Sequence, residues 1–177
     1  MKKSLITIIC FLLLNAAAHA LFLLENNDFK RSGRSILSAG QLAQGTVINL
    51  SWGIWERSNL YIIVGTGGGL GWKQRLLSES AYLPFSWDLS AETTSLKFYH
   101  TTAYGTSLWK ELNDDLEIFV KFEQIESLDQ WPGLPALGYN SITSIGLTWG
   151  LWKNSFLTIQ GSSNPNNFGT IAFHVLL

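Results

Sequence analysis

Cysteine is nearly absent: the single one among 177 residues, Cys10, lies in the first apolar segment. Beyond that segment nothing can form a disulfide or a thiolate ligand, so an exported domain of this size must be held together by other means. Charge is scarce as well. Asp, Glu, Lys and Arg make up 14% of the chain, against roughly 25% in a typical soluble domain. Twelve Lys and Arg stand against thirteen Asp and Glu with no basic cluster, which removes the electrostatic footprint of a nucleic-acid binder. Long apolar runs are missing too. Residues 5–14 form the main one, far short of the roughly 20 that a spanning helix needs.

That run has a different meaning. Lys2 and Lys3 precede it, and Ala18-His19-Ala20 follows as a small-x-small cleavage site. Residues 1–20 are therefore predicted to be a signal peptide, leaving residues 21–177 as one domain with ten basic and thirteen acidic residues. Cys10 lies inside the apolar core with Ile8 and Ile9 before it, a poor context for lipidation.

What the chain does have is aromatic residues and alternation. Aromatics reach 13%, with eight Trp. Three hairpins share one design. Leu50-Ser51-Trp52-Gly53-Ile54-Trp55 turns at residues 56–59 and resumes at Leu60-Tyr61-Ile62. Leu147-Thr148-Trp149-Gly150-Leu151-Trp152 turns at residues 153–155 and resumes at Phe156-Leu157-Thr158-Ile159. A looser copy runs from Gly105 through Trp109, turns near residues 113–115 and returns from Leu116 to Val120. Period-two alternation on both sides of short polar turns predicts an up-and-down antiparallel sheet.

Counting a weak first strand at residues 35–42, the pattern gives eight strands, with residues 71–94 and 125–138 as long loops. Short turns near residues 57, 113 and 154 would lie on one rim and the long loops on the other. The predicted fold is all-β, an eight-stranded antiparallel up-and-down transmembrane β-barrel. Alternation alone does not say which face is outside, since a soluble ligand-binding barrel has the same rhythm. The less apolar face decides: Asn49, Ser51 and Gly53, or Ser144, Gly146, Thr148 and Gly150, suit a crowded lumen better than a wetted surface. Ile145, Leu147 and Trp149 then face lipid. Trp52, Trp55, Trp109, Trp149 and Trp152, all near short turns, are the predicted interfacial aromatics. Asn49, Glu117, Lys121, Glu123 and His174 are the predicted polar lumen.

Over roughly residues 45–177 the chain resembles small bacterial outer-membrane β-barrels in its leader, alternating strands, unequal rims and apolar last strand. It departs from them in ending on Leu177 where Phe or Trp is usual. The resemblance implies outer-membrane lipid and the barrel-insertion machinery as partners, with the periplasm as the alternative address. Ser162-Ser163-Asn164 is faintly similar to a stretch of the lipid A deacylases, where a His two residues ahead of the Ser-Asn pair acts as base; Gly161 stands there instead.

Candidate chemistry is sparse. His174 and Ser163 are the catalytic candidates, yet no base is evident beside Ser163 and no nucleophile beside His174. Two histidines beyond the leader, without Cys or a carboxylate cluster, make a poor metal site. Residues 65–71 are rich in Gly but lack the Lys and following helix of a phosphate loop. No cofactor is called for. The sequence favours a non-enzymatic barrel with a structural, adhesion or surface-recognition role through its loops. The alternatives are a lipid-modifying enzyme and a soluble barrel binding an apolar ligand.

Overall fold

Antiparallel strands joined by tight turns pair with their neighbours in the chain, and that rule holds from the first strand to the last. The structure, a computed structural model, describes residues 35–42, 45–65, 67–96, 99–130, 141–163 and 169–177. It contains β1 (Ser35–Leu42), β2 (Gly45–Trp55), β3 (Ser58–Gly65), β4 (Gly67–Leu77) and β5 (Ser86–Leu96). These are followed by β6 (Tyr99–Asn113), β7 (Leu116–Gln130), β8 (Ser141–Trp152), β9 (Ser155–Ser162) and β10 (Gly169–Leu176). Each pairs with the next, and β1 also pairs with β10, with Ile36 opposite Leu176 and Gln41 opposite Ile171. The sheet closes into a barrel, which leaves no edge along the paired strands.

The closed barrel has ten strands, not the predicted eight. The missing pair, β4 and β5, occupies the segment taken for the loop 71–94. Its alternation is present but inverted in chemistry: Leu70 and Trp72 point out, while Gly71, Lys73 and Arg75 point in. On β5, Trp87 points out while Asp88, Glu92 and Thr94 point in. Charges that read as loop are lumen side chains. A register shift between Arg75 and Leu77 further breaks the pattern.

The turns at residues 56–57, 114–115 and 153–154 share one rim with the start of β1 and the end of β10. The β4–β5 connection, residues 78–85, lies on that same rim, opposite to its predicted side. It is tied down: Lys110 pairs with Glu79, and the Glu111 amide donates to Glu79 Oε2 at 3.0 Å. The second predicted loop begins as strand, since residues 125–130 belong to β7; its remainder lies outside the described residues. So does the predicted signal peptide.

The wall has an apolar exterior. Ile145, Leu147 and Trp149 are exposed on β8, while Ser144 and Thr148 are buried. The same alternation puts Ile48 and Leu50 outside with Asn49 and Ser51 inside. Ile62, Val64, Leu70, Tyr104, Leu108, Ile118, Phe122, Ile159 and Ile171 continue the apolar surface around the circumference. Water would meet a continuous apolar band far larger than a soluble monomer tolerates. Such a band is what an outer-membrane antiparallel barrel presents to hydrocarbon. No helix among the described residues is long and apolar enough to cross a membrane.

Candidate functional site

An eight-stranded barrel is just wide enough for ordinary side chains to fill it. Two further strands widen the lumen, and here long side chains from β3–β7 and β9 occupy the space. Trp109, Tyr61, Lys73, Phe119, Lys121 and Phe156 are each at most 1% exposed. Phe119 lies flat across the neighbouring strand at Gly146, where a Cβ would come within 2.4 Å of the ring. Trp109 packs on Phe119 with ring centroids 4.6 Å apart, and Lys73 Nζ sits 5.2 Å from the Trp109 ring centroid. The sequence placed Trp109 at the membrane interface. Its side chain instead shares the inward parity of Ser107, while Leu108 and Leu112 take the exterior.

Seven Lys, Arg, Asp and Glu side chains of the described wall are buried in the lumen: Lys73, Arg75, Lys121, Asp88, Glu92, Glu117 and Glu123. Arg75 grips Asp88 with two donors, Nε to Oδ1 and Nη2 to Oδ2 at 3.0 Å. Lys73 Nζ approaches the same carboxylate to 4.0 Å. Lys121 Nζ pairs with Glu123 Oε1 at 2.6 Å, and the Tyr61 hydroxyl donates to Glu92 Oε2 at 3.2 Å. Lys121 and Glu123 were anticipated in the lumen; Lys73, Arg75, Asp88 and Glu92 were not. The signal that could have found them is the outward Leu70-x-Trp72 and Trp87-x-Leu89 alternation interleaved with their charges.

A second network, of hydroxyls around one histidine, lies on β1, β8, β9 and β10. His174, fully buried, meets Ser38 Oγ through Nδ1 at 2.8 Å and Thr158 Oγ1 through Nε2 at 3.0 Å. Thr158 in turn meets Thr148 Oγ1 at 2.9 Å, and Phe156 stacks on the imidazole with centroids 4.5 Å apart. Glu117 is directly opposite Thr148 in register. Asn49 and Ser51 lie inward on β2, both 1% exposed, and their side-chain polar atoms have no hydrogen-bond partner among the described residues.

The two catalytic candidates are not together. His174 lies opposite Phe156, seven residues from Ser163 along β9, roughly 20 Å by strand rise. The Ser163 hydroxyl accepts from the Thr143 amide at 2.9 Å at the far rim. Among the described residues no group of His, Cys, Asp or Glu could hold a metal ion.

The predicted interfacial Trp other than Trp109 fall on the exterior toward the short-turn rim. Trp55, Trp149 and Trp152 are more than half exposed. Trp52 shares the outward parity of Leu50, half-buried among its neighbours.

No family model and no curated protein matches the chain. Solved structures similar to it in fold include two porins. One is a KdgM porin in complex with disordered oligogalacturonate, at TM-score 0.49 and 11% identity, covering 81% of this chain and 97% of that one. The other is a KdgM porin at TM-score 0.48 and 9% identity, covering 80% and 98%.

Proposed function

We propose that this protein is an outer-membrane barrel whose polar lumen is a narrow conduit for small ions or hydrophilic solutes, held closed in the conformation described. The observation that carries this reading is the pairing of an apolar exterior with an interior of three cations and four carboxylates. Buried ion pairs are poor stabilisers compared with apolar packing of the same volume. A barrel serving only as a membrane anchor gains little from them. Asn49 and Ser51 point the same way: a packed lumen leaves their polar atoms desolvated and without a partner among the described residues, a cost that water entering the lumen would relieve.

A structural, non-conducting role is the second reading, favoured by the complete burial of Trp109, Phe119 and Phe156. Surface recognition loses the loop 71–94 as its support and rests on connections outside the described residues. The enzyme reading loses its two candidates as a couple, since Ser163 and His174 lie apart, and the hydroxyls that do meet His174, on Ser38 and Thr158, are buried with it.

The test is conductance across planar bilayers by protein whose folding is verified through heat-dependent gel migration. Discrete currents are expected. Sealed bilayers containing folded protein would overturn the conduit and leave the structural role.

A further inference from the structure

The connection between β4 and β5 differs from the other described turns on its rim. Those at residues 56–57, 114–115 and 153–154 are two residues long, whereas this one runs from residue 78 to residue 85. It is braced along its length. Leu77 and Trp87 face each other at its base, and the Glu79 amide donates to Ser86 Oγ at 2.8 Å. Ser80 and Leu83 exchange both backbone hydrogen bonds, at 2.8 and 3.2 Å. That exchange puts Ala81 and Tyr82 at the two central positions of a tight turn. A well-tied segment thus holds Tyr82 at its tip, 99% exposed.

The bracing also fixes where the tip lies. Lys110 follows the inward Trp109 and shares its face of β6 with Leu108 and Leu112, both exposed on the exterior. Glu79 reaches that ammonium and the adjacent Glu111 amide. The connection therefore leans over the outside of β6 rather than across the mouth of the lumen. A charge on the lipid face costs little only near the interface, which sets Lys110, and Glu79 with it, at that depth. Trp55 on β2 and Trp149 and Trp152 on β8 mark the same rim, and Trp87 and Tyr82 continue their belt on the β4–β6 side. A phenol ring held in water gains nothing from its exposure. In a headgroup layer its apolar body and its hydroxyl both find partners.

We propose that the 78–85 connection is a lipid-binding foot: Tyr82 enters the headgroup layer of the leaflet at the short-turn rim. Glu79, through Lys110 and the Glu111 amide, is the positioning residue that lays it there. The occupant is phospholipid, because the tip continues the surface that hydrocarbon covers, from Leu77 and Trp87 on one side to Leu112 on the other. The foot is independent of conduction through the lumen.

The test uses the full-length chain carrying Cys10→Ser, which has no other thiol, with Tyr82→Cys or, for reference, Asn154→Cys in the β8–β9 turn. Each is labelled with the fluorophore NBD, placed in phosphatidylcholine nanodiscs and checked for heat-dependent migration. Lipid spin-labelled near the headgroup is expected to quench the label at position 82 several-fold more than the label at position 154. Aqueous iodide should quench it several-fold less. Both sites carry the same label, so its own affinity for lipid cancels. Adding Glu79→Ala is expected to abolish the contrast with migration retained. A label at position 82 that iodide reaches as readily as at position 154, or that spin-labelled lipid leaves unquenched, overturns the foot. A contrast that survives Glu79→Ala overturns the positioning role of Glu79.

Discussion

Hairpin β8–β9 and hairpin β4–β5 are built to the same plan and filled differently. Both carry an apolar exterior: Ile145, Leu147 and Trp149 on one, Leu70, Trp72 and Trp87 on the other. Inside, β8–β9 presents Ser144, Thr148, Thr158 and Gln160, whereas β4–β5 presents Lys73, Arg75, Asp88 and Glu92. The exterior is dictated by hydrocarbon and has to be uniform. The interior answers only to volume and to pairing, so short hydroxyls and long ion pairs are both solutions. Short groups leave room, which Phe119 and Phe156 occupy; long groups fill the lumen themselves.

The contrast is open to direct tests, the largest effect first. Arg75→Leu removes the bidentate partner of Asp88 and leaves that buried carboxylate, among the described residues, to Lys73 at 4.0 Å. A loss of about 3–5 kcal/mol is expected, read as a lower urea midpoint for unfolding from lipid vesicles. Trp72→Arg and Leu147→Arg, each placing a charge on the exterior, should cost about 2–4 kcal/mol apiece. Similar losses in the same assay would confirm that both hairpins face lipid; tolerance of Trp72→Arg alone would remove β4 from the wall.

Thr158→Val deletes the hydroxyl shared by His174 and Thr148. It should cost about 1–3 kcal/mol by leaving buried partners unsatisfied, with assembly on gels retained. The smallest effect belongs to Lys110→Ala. Its pair with Glu79 is partly solvent-exposed, at 42% and 25%, so under about 1 kcal/mol is expected. A larger loss would mean that the 78–85 connection is structural rather than peripheral.

The legibility of the two hairpins differed for the same reason. On β8–β9 both faces obey soluble-protein habits, apolar against small polar, and the strand bounds read off Leu147, Trp149 and Ile159 directly. On β4–β5 the inward positions carry Gly69, Gly71, Lys73, Arg75, Asp88 and Glu92, residue types that in a soluble protein mark turns and surface. Read by that habit, two strands became a loop and the barrel lost its true width. Trp109 failed in the same manner. Proximity to a turn suggested an interface, but its parity with Ser107 turned it into the lumen beside Phe119.

The sequence by itself determined an antiparallel, up-and-down, all-β chain with lipid-facing alternation, because period-two patterning and tight polar turns act between neighbours. Only the tertiary structure decided the strand number, the meeting of Lys73 and Arg75 with Asp88, and the separation of His174 from Ser163. Those depend on closure and register, which bring together residues dozens of positions apart and leave no local trace in the chain.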